Sequence, residues 1–370
     1  MNKNVSIIGV GRLGLCLALN LERKGYNVIG VDVIPEYVDA LNKKKFDSPE
    51  PEVNGLLKTS KNFKATTDLK EALQNDILFV VVHTPSLKSG KFDHQYIDRI
   101  VNGLIQLGVQ PTKKHLVISS TTEPGYCNTV YDRLRKFNYE VVYNPEFIAQ
   151  GSIIRDQLRP DIVLVGTLSD ESFKIVKDLY WDICVDDMIV YRMTPTEAEI
   201  TKIALNCFIT TKITFANMVG DVALKLGLQE DIILKAIGAD SRIGPKCLKY
   251  GFGFGGPCFP RDNKMFGIFC EENGVYPHIS YATDKSNQTH LINQVNEYVK
   301  NHDKDEILIL KSVTYKPNTD IIEESQKLKF AEELVRRGYR VAIRDNERVI
   351  NQLTKIYGDK FTYEVATDVQ

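Results

Sequence analysis

Apolar and polar positions alternate between two periods along this chain, and the order of the periods predicts an α/β architecture. Val5 to Ile8 form a short apolar run. Gly9-Val10-Gly11-Arg12-Leu13-Gly14 follows, then a helical pattern through Lys24, a stop at Gly25, and a second apolar run, Asn27 to Val31, closed by Asp32. The spacing predicts strand, helix, strand. Asp76 to Val82 is apolar almost throughout, as a parallel strand covered on both faces requires. Leu116 to Ser119 and Tyr139 to Tyr143 read as further strands. These three runs lead into His83-Thr84-Pro85, Ser120-Thr121-Thr122 and Asn144-Pro145-Glu146-Phe147. Such strand ends are where parallel sheets bind ligands, although a lone Thr there serves equally well as a cap or turn residue.

From Thr194-Pro195 an amphipathic pattern runs to about Leu226 and predicts one long helix with Pro195 in its first turn. Lys202 and Asn206 are four apart and share a face. Such a pair usually faces solvent, but here its neighbours are Ile200, Ile203, Ala204, Leu205, Phe208 and Ile209. So long a helix is also a natural spine for a dimer. Near the end the chain echoes its beginning: Leu21 to Asp32 reads LERKGYNVIGVD and Leu334 to Asp345 reads LVRRGYRVAIRD. With a strand at Glu306 to Leu310, the echo predicts a second nucleotide-binding-like α/β unit. It lacks GxGxxG, its first loop is Lys316-Pro317-Asn318-Thr319-Asp320, and it is expected to be short, ending soon after its second strand.

Bulk numbers narrow the class. At 370 residues the chain exceeds one ordinary core. A net charge of −1 gives no electrostatic footprint for nucleic acid or an anionic membrane. The first residues enter a strand pattern directly, with no signal peptide, and no apolar run is expected to span a bilayer. Seven cysteines without a CxxC pair argue against a disulfide framework or zinc ribbon, and the six histidines show no ligand spacing, so no metal is expected. The expected compartment is the reducing cytoplasm, with free thiols.

Two segments carry chemistry. GxGxxG between a strand and a helix, with an acid about 20 residues on, is a dinucleotide fingerprint. Gly9 allows the turn, Gly11 lets the backbone approach pyrophosphate, and Gly14 lets helix pack on strand. Asp32 would accept from both ribose hydroxyls, which favours NAD over NADP, whereas Arg12 is placed to reach a phosphate. The second segment is Gly251 to Asp262, GFGFGGPCFPRD. Four glycines precede Cys258, and Arg261 and Asp262 follow it. Structural cysteines usually pack inside apolar elements. A thiol in an open, charged, glycine-rich site suits a nucleophile. A glycine-rich turn with an incidental thiol fits these residues equally well.

Together these segments resemble the UDP-glucose/GDP-mannose dehydrogenase family, over nearly the whole chain and in the expected order. The likeness lies in GVGRLG, EPEVNGLL from Glu50, HTP through Thr84, STTEPG from Ser120, NPEF at Glu146, EAEITKIALN up to Asn206, DSRIGPKCLK from Asp240, GFGGPCFPRD around Cys258 and KPNTD at Lys316. The resemblance implies three parts. Residues 1–193 would be an N-terminal Rossmann domain for NAD. Residues 194–292 would be a central helical domain with the dimerising long helix and the cysteine loop. Residues 293–370 would be a C-terminal Rossmann-like domain for the UDP-sugar.

It further implies oxidation of a nucleotide sugar's primary alcohol to a carboxylate with two NAD. Cys258 would trap the aldehyde as a thiohemiacetal and carry the thioester. Lys202 and Asn206 would stabilise the developing oxyanion, a role worth about 3 kcal/mol per donor. Asp262 and Thr121 would hold water or relay protons, and Glu146 would be the general base. NAD would lie against Gly9, Gly11, Arg12, Leu13, Gly14 and Asp32, with Thr84, Pro85, Thr121, Gln150 and Arg261 completing its site. The sugar nucleotide would meet Glu146, Phe147, Ile148, Lys202 and Asn206 on one side, and Arg242, Lys249, Phe252, Gly255 and Lys316 on the other.

The stretch Asp240 to Lys249 looks like the UDP-glucose branch, in which the matching arginine often crosses a dimer interface. Where the family often has a second Glu, this chain has Gln150, which cannot act as a base. Where the family usually has Asp-x-Arg-Glu-Ser after KPNTD, this chain has Ile321-Ile322-Glu323-Glu324-Ser325, a charge reversal at Glu323. These departures leave three alternatives to UDP-glucose oxidation: a UDP-N-acetylhexosamine substrate, GDP-mannose, or nucleotide-sugar binding without turnover. A two-electron hydroxyacid dehydrogenase shares the fold and a helix-borne Lys/Asn pair but lacks the cysteine motif.

Overall fold

The computed structural model describes residues 3–366. The chain divides into two compact units, Met1–Lys202 and Ile203–Gln370, and the division falls within the long helix Pro195–Lys225.

In the first unit, among the described residues, eight strands form one sheet: β1 (Asn4–Ile8), β2 (Asn27–Val31), β3 (Phe63–Thr66), β4 (Ile77–Val80), β5 (Lys114–Ile118), β6 (Tyr139–Tyr143), β7 (Val163–Gly166) and β8 (Val190–Met193). Their order is β3-β2-β1-β4-β5-β6-β7-β8. Only β6 and β7 pair antiparallel. The chain reverses direction across the sheet between β1 and β4, and Ile8 pairs with both Val31 and Val80, which aligns the carboxyl ends there. That switch point is where doubly wound sheets open a crevice for ligands. Every residue of β4 and β5 is buried, as the continuous apolar runs require. The exception in chemistry is Lys114, whose ammonium donates to the Leu73 and Asn75 carbonyls and to Asp76.

The second unit holds β9 (Ile307–Lys311), β10 (Arg340–Asp345) and β11 (Thr362–Val365), a parallel sheet with β10 in the centre. The echo of the N-terminus is structural: Gly25 (φ +87°) and Gly338 (φ +86°) both end a helix in the left-handed region, and Tyr26 and Tyr339 both bury behind them. The ends of the echo differ. Asp345 is buried and its carboxylate accepts from the Val313 and Asn346 amides, so it serves the fold rather than a ribose.

Four expectations need correction. The first helix stops at Glu22 because Arg23 to Gly25 already form its turn. The fourth strand is Ile77–Val80 and not Asp76 to Val82; by Val82 the amide donates to the Ser120 hydroxyl instead of a neighbouring strand. The last unit continues past its second strand with the helix Glu347–Tyr357 and a third strand, β11. And one helix, Pro195–Lys225, is apolar and long enough to cross a membrane by length and composition, with mean hydropathy 1.2 in its most apolar window.

Candidate active site

In the first unit the glycine fingerprint forms a cradle. Gly9 has φ +94°, and a Cβ there would lie 2.5 Å from the Val81 carbonyl oxygen. A Cβ on Gly14 would lie 2.0 Å from the Gly9 oxygen. At Gly11 nothing lies within 4 Å of that position, so the backbone faces open space. Gly11 also caps the helix Arg12–Glu22, whose first amides receive no side-chain cap. These donors and the helix dipole suit a pyrophosphate. Leu13 turns inward onto the core, and the Tyr37 hydroxyl donates to the Val10 carbonyl and braces the loop. Asp32 stands half-buried at the end of β2, where it suits a ribose diol. The residues present therefore fit a dinucleotide.

Loops from three strand ends meet around this cradle. Arg12 Nη1 donates to Gln150 Oε1 at 2.8 Å, which ties the glycine loop to the residue standing where the family often has a second Glu. The loop after Gln150 is held by Glu50, a buried carboxylate that accepts from the Gly151 and Ile153 amides. Thr84 Oγ1 donates to the Thr121 carbonyl at 2.8 Å, and the Pro85 carbonyl accepts from the Asp93 amide. Glu199, wholly buried, accepts from Thr122 Oγ1, the Gly125 amide and the Cys127 amide. Burial pushes its carboxyl above the usual range, against the pull of these bonds. Glu50 and Glu199 lie in the quoted EPEVNGLL and EAEITKIALN stretches, but neither was assigned a role; Glu199 lies three residues before Lys202 on the same face.

Glu146, Phe147 and Lys202 come together as expected. Lys202 Nζ donates to the Glu146 carbonyl at 2.6 Å and sits 4.5 Å from the centre of the Phe147 ring. Burial raises the Glu146 carboxyl to about 7, opposed by the Lys202 charge and by Gln157. An acid poised there changes protonation near neutrality, as a general base requires. Ile148 packs against the core beside it.

In the second unit Cys258 is exposed and caps the helix Phe259–Glu272, with Pro260 in its first turn. A thiol at a helix N-terminus is favoured as thiolate. Behind it lies Asp262, fully buried, accepting from Asn206 Nδ2 at 2.6 Å and from Arg261 Nε at 3.2 Å. The surrounding glycines have a more local reason than ligand approach. A Cβ on Gly253 would lie 2.1 Å from Asn287 Oδ1, and one on Gly255 would lie 2.1 Å from the Glu324 carbonyl oxygen. Gly256 has φ +80° and lies against the Tyr315 ring. Only Gly251 of the four faces open space.

A cleft of about 210 Å³ in this unit brings together Phe252 and Lys316, and adds Lys311 and Lys327, which the sequence reading passed over. The Lys327 ammonium lies 5.8 Å from the centre of the Phe252 ring, and burial pulls its pKa down. An aromatic ring beside three ammonium groups suits a nucleoside with phosphates. Arg242 and Lys249 are exposed and do not line this cleft; Arg242 is engaged by Asp240.

The strand order, the Gly11 cradle and the acid after β2 define a Rossmann-type dinucleotide-binding domain. Models of the UDP-glucose/GDP-mannose dehydrogenase family match this chain, the NAD binding domain at residues 3–184 and the central domain at residues 196–289. UDP-glucose 6-dehydrogenase of Rickettsia conorii is 32% identical over 332 residues, covering 87% of this chain and 76% of the relative. GDP-mannose 6-dehydrogenase of Pseudomonas putida is 29% identical over 374 residues, covering 97% and 84%. The solved UDP-glucose dehydrogenase of the hyperthermophilic archaeon Pyrobaculum islandicum superposes with a TM-score of 0.88 at 29% identity, covering 98% of this chain and 86% of that one. The chain belongs to the UDP-glucose/GDP-mannose dehydrogenase family and is an NAD-dependent nucleotide-sugar dehydrogenase.

Proposed function

We propose that the chain oxidises the primary alcohol of UDP-glucose to the carboxylate of UDP-glucuronate, using two NAD and one water per sugar. The observation that carries the four-electron reading is the exposed Cys258 thiol at a helix N-terminus, backed by the buried Asn206–Asp262 pair. Bound NAD supplies the hydride acceptor. The Cys258 thiolate adds to the aldehyde carbon and holds the half-oxidised sugar as a thiohemiacetal. Loss of a second hydride to the second NAD, with the thiohemiacetal hydroxyl proton passing to the water held by Thr121 and Asp262, would leave a thioester. Water then attacks the thioester carbon, Glu146 takes the water's proton, and the C–S bond breaks to release carboxylate and thiolate. Lys202 and Asn206 donate to the sugar oxygen while it carries negative charge. Thr121 and Asp262 position water.

UDP-glucose is favoured over GDP-mannose by the Asp240–Lys249 stretch, although named relatives include both activities. Phe252 and Lys316, in the second unit's cleft, would hold the nucleotide; Gly255, Arg242 and Lys249, which the resemblance also assigns to the substrate, lie outside its lining. The three-part division at 193 and 292 follows from this assignment of roles. A homodimer is supported by an exposed apolar stripe on the long helix, Phe208, Phe215, Met218 and Val222. That helix is read as packed in protein rather than lipid, because Lys202, Asn206 and Asn217 all bond protein groups. Seven free thiols support a reducing cytoplasm, and a net charge of −1 offers nucleic acid no attraction.

The test is NADH formation with UDP-glucose, UDP-N-acetylglucosamine, UDP-galactose and GDP-mannose. Two NADH per UDP-glucose and no free aldehyde are expected. A preference for GDP-mannose would overturn the substrate assignment. One NADH per sugar would overturn the covalent mechanism.

A further inference from the structure

The root of the cysteine loop is held by a histidine that the chemistry above leaves unused. His290 is buried on the helix His278–Asn301. Its Nδ1 lies 2.9 and 3.0 Å from the two carboxylate oxygens of Asp221, and its Nε2 lies 2.7 Å from the Gly251 carbonyl oxygen. A backbone carbonyl only accepts. Asp221 also receives the Tyr250 hydroxyl at 3.2 Å and the Asn293 amide at 3.1 Å, so it is an ionised acceptor. Burial pushes the Asp221 carboxyl up, but the hydrogen bonds from His290, Asn293 and Tyr250 outweigh it and hold the group below the usual range. The Gly251 carbonyl can only accept, so Nε2 donates to it, and Nδ1 faces the Asp221 carboxylate.

The same anchor is built from two helices. On the long helix, Asn217 and Asp221 are four apart, and Asn217 Oδ1 accepts from the Gly251 amide. Gly220 lies between them, and a Cβ there would meet the Tyr250 ring at 2.0 Å. On the other helix, Asn287, His290 and Gln294 share one face. Asn287 accepts from the Phe254 amide and donates to the Phe254 carbonyl, while Gln294 donates to Gly251. Every one of these bonds lands on residues 250–254, just ahead of Cys258. Phe252 and Gly253 also line the 210 Å³ cleft.

We propose that His290, clamped between Asp221 and the Gly251 carbonyl, is a positioning residue that fixes the root of the Cys258 loop and, with it, the Phe252 wall of the nucleotide cleft. The kinetic part of this proposal rests on the dehydrogenase reading; the structural part does not. Removing one partner of a buried pair strands the other. A misplaced loop then costs turnover at a distance, between about tenfold and a hundredfold for a shift of about 1 Å.

Three measurements on the full chain test it. In wild-type protein labelled with ¹⁵N-histidine, the resonances lost in H290Q should show a proton on Nε2, the nitrogen that faces the Gly251 carbonyl. A bare Nε2 would overturn the proposal, whatever the enzyme's substrate. Alkylation by iodoacetamide, read peptide by peptide, should change at Cys258 in H290A and D221A while exposed Cys247 serves as the internal reference. Unchanged Cys258 reactivity would overturn it. In steady-state kinetics, H290A and D221A should each lower kcat/KM for the nucleotide sugar by about tenfold or more, with KM for NAD unmoved. The double variant should be no worse than either single one, because the two side chains act as a unit. Additive losses, or a rise in KM for NAD, would reduce His290 to a general stabiliser. A wild-type chain that forms no NADH with any nucleotide sugar would sink the dehydrogenase reading and leave the first two measurements decisive.

Discussion

The acid limb of the pH profile puts the Glu146 assignment at most risk. Burial lifts this carboxyl from the usual range near 4.5 to about 7. A general base works only as carboxylate. With that value, about a tenth of the enzyme is competent at pH 6, about half at pH 7 and about nine-tenths at pH 8. Thioester hydrolysis should therefore rise about tenfold from pH 6 to pH 8. In E146Q the rate should fall by about 10² to 10⁴, the loss expected for a positioned base.

The main-chain bond from Lys202 to the Glu146 carbonyl is untouched by this change, so the ammonium stays in place. The variant should still run both oxidations and then stall as thioester, giving a burst of two NADH per Cys258 in stopped-flow absorbance. Stability moves the other way. A carboxyl raised in the folded state supports the fold below its unfolded value and loses that support as pH climbs through about 7. The shift corresponds to a cost on the order of 3 kcal/mol above pH 8. E146Q, which mimics the protonated acid, should then melt higher than wild type at pH 8 and alike at pH 4. An E146Q enzyme that keeps a tenfold acid limb, or shows no burst, would refute the reasoning.

Other outcomes follow from the same geometry. C258S should lose overall turnover while NAD still binds in a fluorescence titration; full activity would remove the covalent step. G255A should destabilise the second unit by about 1–3 kcal/mol, because the added methyl meets the Glu324 backbone oxygen at 2.1 Å and that atom has no flexible end to swing away; an unchanged melting temperature would show that the loop yields. K316A should raise KM for the nucleotide sugar about tenfold, the loss of one charge-assisted bond, without moving KM for NAD; an equal effect on both would place Lys316 outside a separate nucleotide cleft.

Local information carried much of this protein. The change from period two to period 3.6, the glycines at 9, 11 and 14, the acid at Asp32 and the repeated Gly-Tyr stop were all readable, because each depends on backbone geometry within a few residues. The Cys258 loop was readable too, since only an unusual site needs four glycines, two prolines and an ion pair around one thiol. Three features were not. The extra strand β11 is four mostly exposed residues without an apolar run, and only its pairing with β10 across the intervening helix makes it a strand. The glycines at 253, 255 and 256 seemed to make room for a ligand, whereas they make room for Asn287, the Glu324 backbone and the Tyr315 ring. Glu50 and Glu199 stood in recognisable motifs with no sign of which amides they would hold, and His290 looked like an ordinary polar residue of a helix.

Sequence by itself thus determined the class of fold and the cofactor cradle, both of which rest on short-range sterics and on motifs a few residues long. Tertiary structure decided which polar groups are buried together. Burial turns Glu146 into an acid titrating near 7, gives the Glu199 carboxylate to a loop's amides, and closes Asp221 and Gly251 around His290. Such effects come from desolvation and from acceptors tens of residues distant, and no local pattern encodes them.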